Sequence, residues 1–213
     1  MNRISCTLLA DGSSDIILQY PIKWLLTQEF PNYATTINFA DLRPISTGNE
    51  TLPERICKAV ELFPCDILFI HRDIEKETFE SRMTEIVNAL AKANCDVPLH
   101  VKVLPKKMSE AWFLFDEQAI KTAAGNPNSR LALNLPTLGT LEQLPDPKES
   151  LITILKTASG LNKRRIKSFR PRRAIHRLAE IIDNYSKLES LEAFQILAHQ
   201  IQELKNTFNQ PSD

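Results

Sequence analysis

Neither sign of charge is in excess: the 26 basic and 26 acidic residues of this 213-residue chain cancel. That excludes an overall field attracting nucleic acid or an anionic membrane, so any such binding must come from charge segregated locally. No apolar run approaches the roughly 20 residues of a membrane-spanning helix, and residues 1–6 lead directly into a short strand-like segment. Cytoplasmic location is the default expectation, with no membrane partner. Cys6, Cys57, Cys65 and Cys95 are scattered singly, without a CxxC pair or a His-rich segment, which removes the usual zinc patterns and leaves free thiols in or near a core as the expectation. There is no internal repeat and no low-complexity tract. What is present, 43% hydrophobic and 24% charged residues, suits a folded domain with a substantial core and an appendage.

Along the chain, strand-like and helix-like patterns alternate. Ile4 to Leu9 reads as a strand, the turn cluster Asp11-Gly12-Ser13-Ser14-Asp15 follows, and a helical pattern runs to Phe30. A second extended stretch near Thr35 to Ile45 precedes Thr51-Leu52-Pro53-Glu54, a capped helix start with Ile56, Val60 and Phe63 on its apolar side. Asp66-Ile67-Leu68-Phe69-Ile70-His71 is a continuous apolar run with polar punctuation, as expected of a central parallel strand covered on both faces. Phe79, Met83, Ile86, Val87 and Leu90 recur at helical spacing, Val97 to Leu104 reads as a strand, and Ser109 is a candidate cap for a helix carrying the core residues Trp112 and Phe113. The alternation predicts an α/β fold with a mostly parallel sheet flanked by helices. Residues 1–125 form the expected core, 126–147 a proline-punctuated connector, and 148–213 a helical C-terminal extension packed on the core.

Ligands of open parallel sheets gather outside the carboxyl ends of the strands. Asp11 and Asp73 each follow an apolar strand, and Glu75 lies two residues beyond Asp73, so that in an extended segment both side chains project to one side. Oxygen ligands of this kind suit Mg2+ or Mn2+. Gly12 permits close backbone approach to a phosphate. The alternative is that Asp11 and Ser13 cap the next helix and Asp15 favours its first-turn dipole. His71 is a candidate general base or phosphate contact, although a lone histidine at a strand end is more often structural. Glu110 either completes the acidic site or opens its helix as a dipole-favoured acid.

In order, ADGSSD, FIHRDIE and KMSEAWFLFD resemble TOPRIM-like proteins and, more closely, an uncharacterised bacterial family of that superfamily related to the overcoming-lysogenization-defect nucleases. LPDPKESL near Pro145 to Leu151 and LESLEAF near Leu188 to Phe194 are similar to that family's C-terminal helical region. The superfamily pattern is a glutamate and glycine after the first strand and Asp-x-Asp after a later one. Here Asp11 replaces the glutamate and Glu75 the second aspartate. The resemblance implies a TOPRIM/Rossmann-like fold and a metal-dependent nuclease of DNA or RNA. It further implies Asp11 as general acid or base, Asp73 and Glu75 as metal anchors, and an antiviral defence effector encoded beside an ATPase partner. The rival expectation is a catalytically inactive subunit that binds an ATPase or nucleic acid.

From Gly160 to Ala179 there is no acid, whereas Lys163, Arg164, Arg165, Lys167, Arg170, Arg172, Arg173 and Arg177 are all basic. Such a stripe suits phosphate contacts with little base specificity, and Phe169 is placed to stack on an unpaired base. The alternative is a solvated helix face balanced by the acids of Glu180 to Glu192, or a docking surface for an acidic protein.

Overall fold

Four short β-compatible runs pair into one all-parallel sheet in the computed structural model, which describes residues 2–46, 48–74 and 76–208. The strands are β1 (Asn2–Leu9), β2 (Tyr33–Phe39), β3 (Ile67–His71) and β4 (Leu99–Val103). Their order is β2-β1-β3-β4, with Cys6 opposite both Ile37 and Ile67 and with Ile70 opposite Lys102. The continuous apolar run behaves as its composition demands: every residue of β3 is buried and the strand lies inside the sheet. Helices join successive strands. A 3-10 turn (Ser13–Leu18) and α1 (Gln19–Glu29) follow β1, α2 (Leu52–Leu62) precedes β3, and α3 (Phe79–Lys92) precedes β4. This is the expected α/β, Rossmann-like architecture.

Local chemistry explains where the helices begin. Thr51 and Glu54 form a reciprocal capping box at α2, in which Thr51 N donates to Glu54 Oε2 at 2.7 Å, an arrangement contributing about 1 kcal/mol. Thr78 caps α3 by accepting from Ser81 N at 3.1 Å. One face of the sheet packs Leu9, Leu68 and Ile70 against Ile56 and Ala59 of α2 and Ile86 and Ala89 of α3. Alternation along β3 therefore directs Ile67, Phe69 and His71 to the opposite face.

Packing divides the chain into two compact units, Met1–Leu104 with Gln195–Asp213, and Pro105–Phe194. In the first, the sheet and α1 to α3 are joined by most of α7 (Glu192–Phe208). Gln200 of α7 hydrogen-bonds both backbone groups of Lys102 on β4, accepting from N at 3.1 Å and donating to O at 3.0 Å. The cysteine expectation is corrected here. Cys57 on α2 and Cys95 beyond α3 form a disulfide with a Cα–Cα distance of 5.6 Å, within the usual range. Cys6 and Cys65 are free, and burial pushes the Cys6 thiol up to about 12, with Cys65 and Asp66 adding to the shift.

The second unit contains a 3-10 turn (Ser109–Phe113), α4 (Glu117–Ala123), α5 (Pro147–Ala158) and α6 (Pro171–Ile181). Trp112 and Phe113 are core residues, as expected. They meet Phe194 and Tyr185 edge-on, with ring centroids 5.3 and 6.2 Å apart, a favourable quadrupolar geometry. Ser109 does not cap this turn, which starts after Met108 and has no side-chain cap. The boundary read near residue 125 falls inside the unit, where Asn126 donates to the Ala158 carbonyl at the end of α5 at 3.2 Å. Asp146 caps α5, with Pro147 at the helix start, where a missing N–H costs nothing.

Candidate metal centre at the sheet switch point

From β1 the chain moves outward to β2, then crosses back to β3 on the other side of β1. The carboxyl ends of β1 and β3 thus flank a topological switch point, the usual ligand crevice of an open parallel sheet. Asp11 and Asp73 emerge there, and Asp73 N donates to Asp11 Oδ2 at 3.3 Å.

His71 closes β3 with its ring completely buried. Its Nδ1 lies 2.8 Å from the Val103 carbonyl; a carbonyl only accepts, so Nδ1 carries a proton and Nε2 faces the crevice. Nε2 lies 3.2 Å from Asp73 Oδ1 and 3.8 Å from Asp15 Oδ1. Both atoms are shut off from solvent, and beyond this contact neither finds a further hydrogen-bond partner among the described residues. One ligand atom from each of Asp15, His71 and Asp73 lies within 4.8 Å of the other two. Such a buried imidazole, held through its far nitrogen by a backbone carbonyl, has the outer-shell support of a metal-ligating histidine.

Asp15 belongs to both readings of its motif. Its Oδ2 accepts from Gly12 N at 2.9 Å and its amide donates to Gly12 O at 3.2 Å, closing the turn after β1, while Oδ1 approaches His71. Asp15 is buried, so its charge must be compensated within the protein or by a bound cation. Burial disfavours a charged His71 ring. The adjoining Asp73 and Asp15 carboxylates and the Val103 carbonyl outweigh burial and raise the pKa above its ordinary value.

In metal-stripped protein, protonated His71 therefore contributes stability that is fully present below its unfolded value of about 6.5. It is lost as pH rises through the raised folded value. Denaturant titrations from about pH 5 to 9 should show this fall for wild type and a flatter profile for His71→Gln; parallel profiles would refute the assignment.

Asp11 is held differently. Its Oδ1 accepts from Arg72 Nη1 at 2.8 Å and Arg55 Nη1 at 3.3 Å, while Oδ2 takes the Asp73 amide. Arg55 also donates to the Ala10 carbonyl at 2.5 Å. Arg72 reaches Glu85 at 3.0 Å, and Glu85 is in turn paired with Arg82 at 2.7 Å. Of the expected group of Asp11, Asp73, Glu75 and Glu110, the first two meet at the strand ends. Asp73 faces His71 and Asp15, Asp11 is joined to two guanidinium groups, and Glu75 lies outside the described residues. Glu110 belongs to the second unit, where it is buried and paired with Lys148 at 3.0 Å.

A donor set of one imidazole and two carboxylates fits Mn2+ and related N/O-binding ions better than Mg2+, which prefers oxygens and retained waters. Asp15, Arg55 and Arg72 are the residues that sequence reasoning left outside the site, and His71 entered it as a candidate general base or phosphate contact, not as a metal ligand. The four-residue step from Asp11 to Asp15 and the histidine ending β3 were available signals; nothing marked Arg55, 44 positions from Asp11.

In the second unit, Lys163, Arg164, Arg165, Lys167, Arg170, Arg172, Arg173 and Arg177 are all exposed. None forms an ion pair among the described residues. Helix α6 buries Ala174, Ile175, Leu178 and Ala179 and leaves Arg172, Arg173 and Arg177 in solvent, while Phe169 is half-buried beside them. Among the described residues no helix is long and apolar enough to cross a membrane. No protein-family model, curated protein or solved structure matches the chain.

Proposed function

We propose that the chain is a divalent-cation-dependent phosphodiesterase of TOPRIM-like type, acting on DNA or RNA. The observation that supports it most directly is the buried His71 Nε2 directed toward Asp73 and Asp15 with no further hydrogen-bond partner among the described residues. Asp15, His71 and Asp73 would hold the ion, and a bound cation supplies Lewis-acid stabilisation of a phosphate oxygen and a more acidic water. The chain's own contribution is geometric. Val103 fixes the imidazole tautomer, Gly12 orients Asp15, and the Asp73 amide ties the β3 end to Asp11. The eight exposed basic residues add a surface suited to nucleic-acid phosphates. An ATPase partner and a role in antiviral defence complete the proposal on the strength of the sequence resemblance.

Cleavage of labelled DNA and RNA in Mn2+ and in Mg2+ tests this, comparing wild type with His71→Ala, with and without a neighbouring ATPase. Wild type should cleave, faster with Mn2+, and the variant should lose at least about 100-fold, as expected when a group that positions the reaction is removed. Equal cleavage by both would exclude the site.

A second reading, a binding subunit without catalysis, is favoured by the engagement of Asp11 with two arginines. It predicts no cleavage in any condition but salt-sensitive nucleic-acid binding. Under either reading, Arg172→Glu with Arg173→Glu should weaken that binding about tenfold or more near 0.1 M salt; unchanged binding would remove the stripe from the interface.

A further inference from the structure

We infer that Arg55 and Arg72 stand where a second cation would otherwise sit, so that the chain binds one divalent ion and uses two guanidinium groups to complete the charge around a phosphodiester. The inference rests on the cation-site reading above and specifies its stoichiometry and its phosphate contacts.

Asp11 uses three of a carboxylate's roughly four acceptor positions on Arg55, Arg72 and the Asp73 amide. A cation approaching it must displace a guanidinium or share an oxygen with one. Neither arginine is a loose surface partner. The three side chains are only 18–27% exposed, and each guanidinium has a second anchor, the Ala10 carbonyl for Arg55 and Glu85 for Arg72.

The local charge pattern agrees. Among the described residues, Asp11 and Glu85 are joined to Arg55, Arg72 and Arg82, whereas Asp73 and Asp15 face His71. Beside Asp11 a cavity of about 230 Å³ is lined by Arg55 and Arg43, with Asp11, Asp41 and Glu50 also in its wall. A phosphate entering it meets the Arg55 guanidinium already fixed by the Ala10 carbonyl, and an Arg fork matches phosphate oxygens in geometry as well as charge.

The test counts Mn2+ bound to the full, metal-stripped chain by titration monitored with electron paramagnetic resonance, independently of cleavage. Wild type should saturate with one ion. Arg55→Gln with Arg72→Gln should admit a second, and adding Asp11→Asn to that pair should abolish it. Two ions on wild type, or still only one on a folded double-arginine variant, overturns the inference. Should the double-arginine variant not fold, Asp11→Asn alone decides: one ion retained supports the inference, and loss of the ion overturns it because Asp11 would then be a ligand. No ion on wild type would instead sink the cation-site reading itself.

Discussion

Asp73→Asn should lower the Mn2+ affinity of the chain by about 100- to 1,000-fold while leaving it folded. A unit charge about 4 Å away interacts by about 4 kcal/mol at an effective dielectric near 20, close to a thousandfold in binding, and outer-shell changes alone cost about 10- to 100-fold. Asp73 is the member of the cluster that reaches solvent, with 24% of its side chain exposed, so the isosteric amide fits without repacking. The amide also leaves the Asp73 backbone N–H free to keep its bond to Asp11. Calorimetric titration and circular dichroism together read the result. Unchanged affinity in a folded variant would show that the cation, if bound, is held elsewhere.

Cys57→Ser with Cys95→Ser should cost about 4 kcal/mol, because the bridge closes a loop across 38 residues and restricts the unfolded chain accordingly. The loss belongs to the unit containing α2 and α3, so hydrogen exchange in those helices is the appropriate readout, since a chain of two units need not unfold in one step. Wild type treated with a thiol reductant should lose protection in the same helices. Two further thiols titrating in native protein without reductant, or unchanged exchange in the double variant, would contradict the bond. Cys57 lies two positions after Arg55, so the same helix that presents a guanidinium to Asp11 is fastened at its neighbouring turn.

The sheet was legible because its physical signals are local. A four-residue apolar run with no solvent-facing alternation reads as a covered strand, and Thr51 with Glu54 marks a helix start by the spacing of a capping box. The location of the site was legible for the same reason, since Asp11 and Asp73 each follow such a run. Its membership was less so. Asp15 has the position of a first-turn acid, and it does orient that turn through one oxygen while the other faces His71. His71 belongs to the strand by its backbone pairing and to the site by the direction of its ring, and only strand pairing brings the Val103 carbonyl to its Nδ1. Arg55 and the Cys57–Cys95 bond depend on contacts across 44 and 38 positions, for which neither spacing nor composition carries a signal.

The Gln200 side chain imitates, at Lys102, the hydrogen bonding of an added strand. Open sheets polymerise by offering such unsatisfied backbone to another chain, and proteins commonly blunt these edges. Here the blunting agent is an amide delivered by a helix almost a hundred residues later in the chain. A nascent chain that has made β4 but not yet α7 would carry that edge unprotected, which makes the last helix a guard against misassembly during synthesis as well as a part of the finished fold.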